Sequence, residues 1–132
     1  KVESLKINKT VVFHDSVSYN DLLKYTLAAD YGVNLLQSFN LSKKLASPNK
    51  LFEYMQAEIP VLCSFSPEND LIFQQFNIGL QCENKIDDIL KKVLKLIENQ
   101  KKSPFLYKKE LQFAKNKFSW EQQEVKLLEL FK

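Results

Sequence analysis

A chain of 132 residues, 45% hydrophobic and 27% charged, is long enough to close one core without a disulfide or a metal and has the composition of an ordinary globular protein. Its 19 basic residues are all lysine and the net charge is only +3. That is too little to argue for nucleic acid, and no aromatic-basic interleaving supports it; no window approaches the roughly 18 apolar residues of a membrane span.

The chain opens on Lys1 and shows no signal peptide, which predicts a piece of a longer protein. Two cysteines, one histidine and no Cys-x-x-Cys make a metal site improbable. So many lysines suit an anionic membrane surface, but a solvated face is the favoured reading.

Thr10 to His14 reads as a strand. Ser18 to Ala29 reads as a helix with Leu22, Tyr25 and Ala29 on one face, and Tyr31 to Gln37 as a second strand. A polar loop spans Ser38 to Ser47. Ser47 has the right type for an N-cap, and Pro48 suits the first helical position, where a missing N–H costs nothing. A helix near Pro48 to Ala57 follows, then a strand Pro60 to Phe65, a helix near Glu68 to Phe76 and a strand around Ile78 to Cys82. Cys63 and Cys82 fall in those strands as small hydrophobes. From Lys85 the chain reads as helical to its end. Ile86, Ile89, Leu90, Val93, Leu94 and Ile97 make an amphipathic stripe. Tyr107, Leu111, Ala114 and Phe118 mark the next helix. The last begins at Ser119, with Gln122 placed for a capping box, and carries Trp120, Leu127, Leu128 and Phe131. Strands alternating with helices predict a parallel sheet with helices on both faces. The fold expected is α/β: a Rossmann-like three-layer sandwich with C-terminal helices, in a single domain over residues 1–132.

The free amides at Asn49 and Lys50 mark the positive end of a helix dipole, which welcomes an anion such as a phosphate. Glu53 lies about one turn on, within reach of hydroxyls attached to that anion. Lys50 adds a cation, and Ser38, Asn40, Ser47 and Asn49 supply hydroxyl and amide groups. Ligands in open α/β sheets bind beyond the carboxyl ends of the strands, where this loop lies.

The segment SPNKLFEYMQAEIPVLC, Ser47 to Cys63, resembles the donor-binding segment of two-domain (GT-B) glycosyltransferases of the group that includes family 4. That group shows a PNKLFEYM-A-G-PV pattern, then Pro-Glu, an apolar helix and a Gly-Leu strand; SPENDLIFQQFNIGLQC, Ser66 to Cys82, follows the same order. FSWEQQ from Phe118 is similar to the Ser-Trp-Glu that opens the family's last helix. VVFHDSVSYNDLLKYTLAADYGVNLL fits its strand, helix, Ala-Asp, strand order. The resemblance thus runs from Val11 to Phe131.

The resemblance implies the nucleotide-sugar-binding part of a bacterial-type enzyme of polysaccharide biosynthesis. Such an enzyme transfers a sugar from a UDP- or GDP-sugar to a glycan or lipid-linked acceptor, with no cofactor or metal beyond that substrate. It implies Glu53 as the ribose-binding acid, with Lys50, Asn49, Ser47 and Asn40 as further donor-binding groups. It implies a missing acceptor domain, a missing opening strand-helix-strand unit, a cytoplasmic location and peripheral contact with the inner face of the membrane. The isolated chain is expected to be inactive, and its catalytic residues are not assigned.

Two departures from the pattern stand out. The family's earlier acid, eight positions before the ribose-binding one, is replaced by Leu45. Glu58 stands where the pattern has Gly; a left-handed position there would cost Glu roughly 1 kcal/mol relative to Gly, which predicts a turn before Pro60 that is built differently. His14 at the end of the first strand reads as structural rather than catalytic. Two other classes stay open. One is a non-catalytic α/β interaction or signalling module, for which His14-Asp15 gives a single acid where a receiver domain wants a cluster. The other is a degenerate transferase fragment. The distinguishing observation is whether Asn49, Lys50 and Glu53 converge on an open crevice, or Glu53 is paired and covered. The last helix is expected to bury Trp120.

Overall fold

The computed structural model describes residues 1–36, 41 and 48–131. Its centre is a parallel sheet of three short strands, β1 (Gly32–Asn34), β2 (Val61–Ser64) and β3 (Gly79–Cys82), in the order β1-β2-β3. Val33, Leu62 and Leu80 share one register, as do Gly32, Val61 and Gly79. Parallel neighbours need a crossover, and helices provide each one. α1 (Tyr19–Leu27) leads into β1, α2 (Asn49–Gln56) lies between β1 and β2, and α3 (Pro67–Gln75) between β2 and β3. α4 (Ile86–Lys102), α5 (Lys108–Lys117) and α6 (Trp120–Glu129) complete the chain.

Side chains alternate across a strand, so the two register sets face opposite layers. On one face the ring of Tyr54 in α2 lies over Gly32, where an added Cβ would come within 2.4 Å. On the same face Gln81 donates to Asp70 Oδ1 of α3 at 3.0 Å. On the other, Cys82 lies beside Asp88 and Lys92 of α4, and Leu62 is fully buried. The result is helix, sheet and helix: a Rossmann-like α/β arrangement.

The core gathers Leu51 and Met55 of α2, Val61 to Cys63 of β2, Ile78, Leu96 of α4, and Tyr107, Leu111 and Ala114 around α5. Each large apolar side chain fully buried there contributes about 1.5–3 kcal/mol. The α5 stripe is buried as its spacing predicts. Tyr107 keeps its hydroxyl satisfied by accepting from Asn99 Nδ2 at 2.8 Å.

Four expectations need correction. Thr10 to His14 forms no strand. Thr10 and Val11 both donate to Ile7 O at 2.9 Å in a turn, the residues after them have no regular structure, Val12 and Phe13 are largely exposed, and no strand among the described residues completes a ladder with them. The second strand keeps only Gly32–Asn34 of the expected Tyr31 to Gln37; Gln37 lies outside the described residues. The α4 stripe is divided: Ile89 and Val93 pack against the core and Leu96 is deepest, while Ile86, Leu90 and Leu94 are exposed. The helix rests on β2 and β3 along one flank, so its buried face is narrower than its apolar face. Trp120 is 64% exposed, and α6 buries none of its residues. The helix lies at the surface, capped by Ser119 Oγ accepting from Gln122 N at 3.4 Å.

Candidate functional site

α2 begins at Asn49, with Pro48 rather than Ser47 at the N-cap position and no side-chain cap bond. The first turn closes through Leu51 N donating to Pro48 O at 2.9 Å. Leu51 and Met55, one turn apart, anchor the helix in the core. That fixes the opposite rows outward. Asn49, Phe52, Glu53 and Gln56 form one wall of a cleft of about 860 Å³. Tyr19, Asn20, Leu22, Leu23 and Thr26 of α1 form the facing wall, and Trp120 at the start of α6 contributes from the third side. Residues from the first turns of α1, α2 and α6 thus border one space, each near a helix end of positive partial charge. The volume falls in the range of sites that hold a nucleotide-sized ligand.

Glu53 and Asn49 therefore meet at the cleft, whereas Lys50 is not among its lining residues. Lys50 Nζ instead donates to Glu53 Oε2 at 3.1 Å, with both side chains partly exposed. The carboxylate is paired yet uncovered, and a single lysine contact leaves it further acceptor capacity. A half-exposed pair of this kind adds well under 1 kcal/mol to stability, so it yields readily to a competing donor. Ser47, Asn40, Ser38 and Leu45 lie outside the described residues. His14 is exposed, with its ring 5.6 Å from Tyr25, and does not line the cleft.

The carboxyl edge of the sheet is closed by its own hydrogen bonds. Leu36 N donates to Ser64 Oγ at 2.9 Å, Ser64 Oγ donates to Asn84 Oδ1 at 2.7 Å, and Asn84 Nδ2 donates to Leu36 O at 2.6 Å. Asn69 Nδ2 donates to Ser64 O at 3.1 Å. This network joins the three strand ends and leaves these groups committed.

The departure from glycine predicts a turn before Pro60 that is built differently; instead Glu58 itself takes the left-handed conformation, with φ 56°. Glu58 N donates to Met55 O at 3.0 Å and Ile59 N to Tyr54 O at 3.2 Å, the bond pair of a Schellman ending. The side chain compensates for the missing glycine. Its carboxylate accepts from Lys115 Nζ at 2.7 Å and from Gln112 at 3.4 Å, tying the end of α2 to α5. Lys115 holds the Glu58 carboxyl below the usual glutamate range. Burial pushes the Cys63 thiol up to about 12, so neither it nor the buried Cys82 is a nucleophile at neutral pH.

The α1 and α6 walls carry no local sequence signal. Tyr19 and Asn20 follow a capping serine, and Trp120 sits in a motif that suggests only a helix start. Among the described residues no group of His, Cys, Asp and Glu is placed to hold a metal ion, and no helix is long and apolar enough to cross a membrane.

Fold and cleft together define a Rossmann-like α/β domain with an open, partly apolar groove beside three helix starts. No family model matches the chain, and no curated protein or solved structure is significantly similar to it.

Proposed function

We propose that this chain is the nucleotide-sugar-binding part of a glycosyltransferase that moves a sugar from a nucleoside diphosphate sugar to a glycan or lipid-linked acceptor. The observation that carries the reading is Glu53. It stands about one turn inside α2, faces a cleft of about 860 Å³, and keeps acceptor capacity beyond its lysine. A carboxylate accepts from two ribose hydroxyls at once. The amide end of α2 supplies positive potential for a diphosphate, and Lys50, at the edge of the cleft, adds its charge when a ribose hydroxyl replaces it at Glu53. The resemblance of SPNKLFEYMQAEIPVL to the family's donor-binding segment supports the same role.

Transfer itself requires an acceptor held in line with the donor, which one open groove does not provide. In this reading the chain binds the donor, and a further domain supplies the opposing wall.

Calorimetric titration with UDP and GDP tests the reading. A charge-assisted hydrogen bond contributes roughly 1.5–3 kcal/mol, so Glu53→Ala weakens binding about ten- to hundredfold. Lys50→Ala weakens it less, and its loss shrinks as salt rises because its contribution is Coulombic. Absence of nucleotide binding, or equal affinity in wild type and Glu53→Ala, removes the reading.

A further inference from the structure

Trp120 is the only tryptophan in the chain, and it is 64% exposed at the wall of the cleft. Tyr19, on a separate helix, is 90% exposed at the same cleft. Large aromatic side chains left in water on two elements that border one groove require an explanation. Neither serves the core, since α1 and α6 bury none of their residues. Phe13, Phe65 and Phe131 are exposed too, but none of them lines this cleft, and three other exposed rings have a neighbour beside them. Lys108 lies 5.5 Å from the Phe105 ring, Lys109 5.8 Å from Phe113, and His14 5.6 Å from Tyr25. Among the described residues no ring or cation is stacked on Trp120 or Tyr19.

We infer that Trp120 and Tyr19 form the nucleobase subsite of this cleft, stacking on the base of a nucleotide whose ribose hydroxyls meet Glu53. The inference rests on the reading of Glu53 above and extends it to the other end of the ligand. Every base offers a π-face, so an indole and a phenol hold it without choosing among bases. Asn20, next to Tyr19 on the α1 wall, adds an amide that both donates and accepts. It is the group placed to meet a base edge.

The single tryptophan makes the test direct. The full chain is titrated with UDP and GDP while its intrinsic emission is followed, and with pyrophosphate and ribose 5-phosphate as ligands that lack a base. Stacking predicts saturable quenching by both nucleotides, with the midpoint found by calorimetry, and no quenching by either control. Trp120→Leu is expected to weaken nucleotide affinity about tenfold or more, and Tyr19→Leu by a smaller factor, with pyrophosphate binding unchanged. Both side chains are exposed, so the variants retain the wild-type circular dichroism spectrum. Nucleotide binding that depends on Glu53, but leaves the emission and the Trp120→Leu affinity unchanged, overturns this inference and spares the donor-binding reading. No nucleotide binding in any variant overturns both.

Discussion

Replacing Gly79 with alanine tests the sheet at its least forgiving point. Gly79 opens β3 at φ 155°, a conformation that residues with a Cβ rarely adopt. A Cβ built there falls 1.9 Å from Val61 O, 2.7 Å from Val61 N and 2.8 Å from Val61 C. All three are backbone atoms of the paired strand, and Val61 N also donates to Ile78 O at 3.1 Å. No rotamer relieves the overlap. The strands must move apart by about 1 Å or more, which breaks a ladder bond at about 1 kcal/mol and opens the packing around fully buried Ile78 and Val61. Backbone strain adds about 1–3 kcal/mol. The expected loss is at least ~3 kcal/mol, a large part of the 5–15 kcal/mol typical of a domain.

Gly32→Ala supplies the control. The three atoms nearest its added Cβ all belong to the ring of Tyr54, the first at 2.4 Å. A side chain can swing aside, so the cost is about 1–3 kcal/mol, as for other overpacked sites. Urea unfolding followed by far-ultraviolet circular dichroism measures both. A Gly79→Ala protein as stable as wild type, or more stable than Gly32→Ala, would show that the close approach of β3 to β2 is wrongly drawn.

Two further outcomes concern the core and the α2–α5 tie. The Glu58 carboxyl lies below its ordinary value because Lys115 donates to it. Its contribution is therefore present above the unfolded-state pKa and is lost as pH falls through the folded one. Acid titration of stability should show this loss below the ordinary glutamate range, and Lys115→Met should flatten that part of the curve; identical curves for the two proteins would remove the pair from the account. The Cys63 thiol, at about 12 and fully buried, should resist iodoacetamide at pH 8 in the folded protein and react once urea unfolds it. Mass spectrometry reads the difference, and rapid labelling of native Cys63 would contradict its burial.

From Pro48 to Cys82 the order of elements is legible in the sequence because its signals are local. A proline at a helix start, the Ser66-Pro67 cap and apolar runs between turns act within a few residues of where they stand. Two of the misses share a physical cause. Val11, Val12 and Phe13 have strand propensity, but a strand exists only against a partner, and none of the described strands pairs with them. Burial of Trp120 is expected if the last helix covers a sheet face or the site of a missing domain, yet burial depends on what a helix rests upon, and α6 buries none of its residues. Glu58 shows the same limit. Its departure from glycine is visible in the sequence, while the Lys115 that answers it lies on another helix, one that only the fold brings near. At the candidate site, Glu53 and Asn49 were legible through the resemblance, but the facing walls on α1 and α6 emerged only from packing.

Tyr54 does more than fill the space above Gly32. Its hydroxyl donates to Val33 O at 3.2 Å, and the alternation of ladder bonds, with Gly32 N already given to Pro60 O, turns the Val33 amide away from β2. Among the described residues β1 is an edge strand, and the phenol guards its margin, where an unsatisfied carbonyl invites stray chains to add on and aggregate. The guard is weak by construction: one solvent-accessible hydrogen bond, on a strand of only three residues. Any strand that adds at this margin must first displace that bond, and it would find half-exposed Val33 beside it.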